Sequence, residues 1–259
     1  AALLALQGAA MDVAHEVRLD NLLWDGKRTP EVLRMLPRVS AGWQALAKAR
    51  MGLHADKAGT SGLIDAVPQA LRDDPGLAYE RFTWRMRREN YPDAAAFLVE
   101  RSTSPAALGR PEAWADRRAL VARWLMRNGQ ESLAYRAAAS HHLTEGSDFV
   151  DLEFLAGFIA LRRLNDAETA LQHFTRLKAA ARTPISLSRA DYWTGRALEA
   201  KGDAAGAKSA ARDLEVIATC KAADAWPGYS DQIEPISLPA WMTPGSTQQQ
   251  PPTDPIQEF

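Results

Sequence analysis

The chain has 259 residues, 46% of them hydrophobic and 24% charged, enough apolar side chain to bury a sizeable core and too much for a chain disordered throughout. Its 31 basic and 32 acidic residues leave a net charge of -1, so it lacks the basic field that holds a polyanion, which argues against nucleic acid as a partner. The longest apolar stretches, from Ala1 to Leu6 and from Phe154 to Leu161, fall well short of the roughly 20 residues that cross a bilayer, and no transmembrane segment is expected.

The first ten residues have no basic region ahead of their apolar stretch and run into a helical pattern over Met11 to Leu23; they read as the start of a mature or trimmed chain, not as a signal peptide. Thr29 is then expected to cap a helix with Pro30 in its first turn, which Pro37 helps to end. Ala41 to Leu53 and Ser61 to Leu71 read as a further helical pair, closed by a corner at Asp73-Asp74-Pro75.

From there the sequence repeats. Helix-breaking turns at Asn90-Tyr91-Pro92, Asn128-Gly129-Gln130, Asn165-Asp166 and Gly202-Asp203 recur about every 37 or 38 residues, the period of an array of helical hairpins. An apolar stripe at helical spacing precedes each turn: Leu77, Phe82, Trp84 and Met86; Trp114, Leu120, Trp124 and Leu125; Phe154, Phe158, Ile159 and Leu161; Tyr192, Trp193, Ala197 and Leu198. Small residues follow each turn, at Ala94 to Ala96, Ser132 to Ala134, Thr169-Ala170 and Ala204 to Ala207, where they let the second helix of a pair approach the first. No stretch alternates with period two over a strand length, so little or no β structure is expected. After Trp226-Pro227-Gly228 the chain becomes rich in proline and glutamine and is read as an irregular tail. The expected organisation is a helical domain over 1–219 and a tail over 220–259. A single cysteine, Cys220, excludes an intrachain disulfide and reads as a small, half-buried apolar residue.

Several colinear segments resemble one family. They are Leu23 to Gly26, Met35 to Pro37, Ala70 to Phe82, Leu108 to Trp114, and the run from Asp151 to Asp166, with Ala170 to Phe174, Arg182 to Ser186 and Arg189 to Ala197 after it. Together they are similar to the superhelical, non-catalytic domain of soluble lytic transglycosylases over about residues 22–207. The resemblance implies an all-α fold, a right-handed superhelix of antiparallel helix pairs of the TPR-like α-solenoid kind, in a periplasmic protein acting on peptidoglycan. In that family a separate lysozyme-like domain, C-terminal to the superhelix, cleaves the glycan without water, one Glu serving as acid and then base. The family's catalytic segment, a Glu-Ser pair opening a helix with a glycine-rich stretch after it, has no counterpart here. Glu131-Ser132 repeats the dipeptide, but Leu133 to Ser140 follow without glycine, and Glu131 is the charge expected in a helix's first turn.

The expected function is therefore a scaffold in peptidoglycan binding and turnover, without catalytic residues or cofactor, and inactive on its own. Its partners are expected to be glycan strands or a cell-wall enzyme. The alternative is a helical-repeat adaptor for proteins in the cell envelope. Candidate ligand or partner contacts are Trp43, Trp114, Arg117, Arg118 and Arg189, with Trp114 and Trp43 read as the better exposed of the eight tryptophans. His141, His142 and Glu145 lie close enough in sequence to suggest a metal, yet adjacent histidines on a helix point about 100° apart; they are read as helix-end polarity or solvent contacts, and no metal is expected. His173 is read as a hairpin side chain.

Overall fold

A computed structural model describes residues 2–26 and 28–212, which excludes the tail, its boundary near residue 220, and Cys220. Among the described residues the chain is all-helical, with no strand. Helix α1 spans Ala2–Asp25, α2 Thr29–Met35, α3 Ala41–His54, α4 Thr60–Asp65, α5 Pro75–Arg87 and α6 Tyr91–Arg101. They are followed by α7 at Pro105–Leu108, α8 at Pro111–Arg127, α9 at Glu131–Ala139, α10 at Ser147–Arg163, α11 at Ala167–Ala180 and α12 at Pro184–Ala200. Residues 204–212 are again helical.

Local sequence explains most of the starts. Proline stands in the first turn of α5, α6, α8 and α12, where its missing N–H costs nothing. Side chains of Asp74, Asn90, Asp166 and Thr183 accept from the backbone N–H groups of Leu77, Asp93, Thr169 and Ser186. Two expectations are corrected. Thr29 does not cap α2 but lies within it, with Arg28 in the capping position and no side-chain bond. The helix expected over Ser61 to Leu71 is interrupted: α4 stops at Asp65 and a separate 3-10 turn covers Gln69–Leu71, because Pro68 cannot donate and disfavours helical dihedrals before it.

The repeated turns share one geometry. Glu89, Gly129 and Gly202 adopt left-handed dihedrals, with φ of 56°, 70° and 81°. The next residue's N–H then reaches back five positions, from Asn90 to Arg85, from Gln130 to Leu125 and from Asp203 to Leu198, at 2.9–3.0 Å. This is the Schellman ending, which satisfies orphan carbonyls at a helix terminus. The fourth turn, with Asn165 at φ 55°, is wider, and Asp166 donates to Ala160 at 2.9 Å. Glu89 alone among the three Schellman turns carries a Cβ, which costs about 1 kcal/mol in the left-handed region. Glu89→Gly is accordingly expected to raise stability by about 0.5–1 kcal/mol, measurable as an upward shift in the midpoint of urea unfolding.

Packing runs from each helix to its chain neighbours: α5 with α6, α8 with α9, α10 with both α9 and α11, and α11 with α12. The small residues after the turns are what make this possible. Ala94, Ala95, Ala134 and Ala170 are all buried, as is Phe174 one helical turn further on. Helices α10 and α11 are in tight contact at Gly157, where a Cβ would lie 2.5 Å from the Phe174 ring. Gly157→Ala gains about 1 kcal/mol of helix propensity but overpacks a filled contact at a cost of about 1–3 kcal/mol. A net loss of about 1 kcal/mol is expected, seen as a lower Tm with the helical circular dichroism spectrum unchanged. At the other end Arg50, buried on α3, pairs with Asp20 of α1 at 2.5 Å and lies against Gly76, whose hydrogen leaves room for the guanidinium. That contact ties α1, α3 and α5 together.

Candidate functional site

Helices α5, α8, α10 and α12 lead successive hairpins, and each touches the next. Side chains on them form a chain of contacts across this first-helix face. Trp24 packs on Tyr79 with ring centroids 5.3 Å apart, and Arg117 donates to the Tyr79 hydroxyl at 3.1 Å. Further on, Arg189 of α12 pairs with Asp151 of α10 at 2.8 Å and lies over the Phe154 ring at 4.6 Å.

Between these two arginine contacts is an open groove of about 280 Å³. Ala115, Ala119, Leu120 and Leu152 give it an apolar surface, while Asp116, Asp148, Asp151 and Arg123 supply charge. Leu120, expected from its spacing to belong to the core, is instead 54% exposed. The neighbouring α10 turns its own Leu152 and Ala156 inward but leaves Leu120 of α8 on the groove wall. The Asp148 carboxyl is pushed up by burial and then by the negative charges of Asp116 and Asp151. Burial lowers the Arg123 guanidinium's pKa, and Asp151 works in the opposite direction.

Of the five candidate residues, Arg117 and Arg189 lie half-buried on this face, flanking the groove. Trp43 is half-buried between two apolar clusters, against residues that include Leu46 and Ala47. The other two are corrected. Trp114 is 0% exposed, stacked on Phe82 at 5.1 Å and donating Nε1 to the Leu108 carbonyl at 3.0 Å; the arginines beside it in sequence suggested a surface, but its own face of α8 points into the α5–α8 contact. Arg118 is also 0% exposed. It donates to the Ala137 carbonyl and to Ser102 Oγ, each at 2.7 Å. Its charge sits between the C-terminal ends of α6 and α9, whose exposed carbonyl dipoles favour a cation. Burial lowers its pKa to about 10, leaving it charged at neutral pH. Glu131 lies in the first turn of α9 and does not line the groove.

Sequence reasoning missed a second polar cluster altogether. Glu153 on α10 is 3% exposed and accepts from His173 Nδ1 at 2.7 Å, His141 Nε2 at 3.2 Å and Arg176 Nε at 3.0 Å to each oxygen. The Leu143 N–H donates to His141 Nδ1 at 2.9 Å, the Tyr135 hydroxyl and His173 Nε2 share a hydrogen bond at 3.0 Å, and Arg176 Nη2 lies 2.8 Å from His173 Nδ1. Burial alone would raise the Glu153 carboxyl, but hydrogen bonds from His141, His173 and Arg176 outweigh it and bring it down to about 2. His141 is therefore a buried partner of Glu153, not a solvent contact, and His173 is more than a hairpin side chain. His142 meets the Ser102 carbonyl at 3.1 Å and Glu145 is exposed. Among the described residues no group of three or more His, Cys, Asp or Glu is placed to hold a metal. The available signal was Glu153 as the one carboxylate inside the apolar run from Leu152 to Leu161, a charge that burial makes costly unless partners are supplied.

The described helices include none long and apolar enough to cross a membrane. Compared with protein-family models, with curated proteins and with solved structures, the chain gives no match.

Proposed function

We propose that the chain is a non-catalytic helical-repeat scaffold of the soluble lytic transglycosylase type, a right-handed TPR-like superhelix that acts in peptidoglycan binding and turnover in the periplasm. The observation that carries this reading is the regular contact between residues one repeat apart. Tyr79 meets Arg117, Tyr135 meets His173, and Asp151 meets Arg189, each pair separated by 38 positions. Hairpins stacked in register bury a continuous core and leave an extended surface, a construction suited to holding a long ligand or a partner protein. On that surface the groove between α8 and α10 is shallow and open, with no enclosed carboxylate of the kind a glycan-cleaving acid requires.

The test is co-sedimentation of the purified chain with sacculi, coupled to mass analysis of soluble muropeptides. Binding without release is the expected result. Release of anhydro-muropeptides would overturn the non-catalytic reading, with Glu131→Gln as the control. Neither binding nor release would move the assignment to the second reading, a protein adaptor of the cell envelope, which the combination of an exposed leucine and carboxylates in the groove independently favours.

A further inference from the structure

The groove between α8 and α10 is both apolar and acidic, and the two properties together define what fits it. Its wall includes the half-exposed Leu120 beside Leu152 and Ala119. An aliphatic chain laid there would remove apolar surface from water at about 25 cal/mol per Å². Its charged lining is three carboxylates against one guanidinium. Asp151 is already paired with Arg189 at 2.8 Å, while no ion pair joins Asp116 or Asp148 to a cation among the described residues. The uncompensated charge is thus negative and lies within reach of the exposed leucine.

A volume of about 280 Å³ accommodates one or two side chains, too little for a folded domain to enter.

We infer that this groove docks a short segment of a protein partner, one that presents a lysine or arginine next to an aliphatic residue. The aliphatic side chain lies on Leu120 and Ala119, and the cationic group is shared by Asp116 and Asp148. Arg123 at the groove's edge disfavours a second cation there, which sets the spacing the partner must have. This deepens the reading above by naming the kind of protein contact the scaffold makes. It also fails separately from that reading: a chain that sediments with sacculi yet ignores the peptide below refutes the groove alone.

The experiment uses the full chain and a capped pentapeptide, Ala-Ala-Lys-Leu-Ala, titrated while amide chemical shifts are followed by NMR. Saturable shifts confined to residues 115–123 and 148–152 are expected. Affinity should fall about tenfold in the Asp116→Asn/Asp148→Asn double variant, and similarly when norleucine replaces the lysine, as loss of one or two charge-assisted contacts implies. A Leu120→Ser variant, altered at an exposed position, should weaken binding without lowering Tm. Equal binding of the norleucine peptide, shifts elsewhere on the chain, or no saturation at millimolar peptide would each overturn the inference.

Discussion

Replacing Glu153 by alanine is expected to destabilise the chain by about 2–5 kcal/mol, since it leaves two buried imidazoles without their acceptor at a cost of about 1–3 kcal/mol each. The reason is what the substitution leaves behind. His141, His173 and Arg176 all donate to the two Glu153 oxygens, and both imidazoles are buried, so water cannot replace the lost acceptor. The three donors come from the loop after α9 and from α11, and the acceptor from α10. Loss of the carboxylate therefore loosens the joint of three helices at once. Urea unfolding followed by circular dichroism measures the change, and an effect below about 1 kcal/mol, the range of an exposed pair, would refute the network's role.

The same carboxylate sets an acid limit. Its pKa is about 2 in the folded chain against 4.5 for the free side chain, so the unfolded state binds the proton more readily. The contribution to stability is complete above pH 4.5, shrinks as pH falls through that window, and is gone below about 2. The shift corresponds to about 3 kcal/mol. Subtracting the pH–stability curve of Glu153→Gln from that of the parent chain isolates it. A difference that stays flat between pH 5 and pH 2 would contradict the assignment.

Trp114→Ala is the second large effect, about 3–5 kcal/mol, as for other fully buried aromatic side chains. The indole fills the space between α5 and α8, against Phe82 and Tyr79, and its N–H satisfies the Leu108 carbonyl next to the tight turn at Gly109. Alanine leaves a cavity and takes away one of that carbonyl's two donors, the Arg110 N–H at 2.8 Å remaining. If the indole were a ligand contact, binding would fall and stability would hold; the buried position gives the reverse. Measuring Tm and sacculus binding on the same preparation separates the two, because a shift of about 2–4 °C per kcal/mol is expected for a domain of this size.

The hairpin period, the turns and the small-residue contacts were legible in the sequence because their causes are local. Left-handed dihedrals call for Gly or Asn, as at Gly129, Asn165 and Gly202 though not at Glu89, proline marks first turns, and alanines mark close approach. The period of about 37 residues, read from the turns, returns in the structure as contacts between side chains 38 positions apart. Pro68 dividing the segment after α3 was also a local signal, present in the sequence but not given its weight.

The candidate sites were far less legible. Helical spacing gives an apolar stripe its periodicity but not the angle at which the next helix covers it, and that angle decides burial at the stripe's edge. Trp114 and Leu120, both placed in one stripe of α8, end at 0% and 54% exposure for this reason. Arg118 is buried because two helix ends converge on it, and Glu153 because donors 12 and 20 positions away fold onto it. The sequence by itself determined the helices, their turns and their period, which depend on neighbours along the chain. The tertiary structure alone decided which charges are buried and which leucine faces solvent, since desolvation and pairing depend on groups that meet only when hairpins stack.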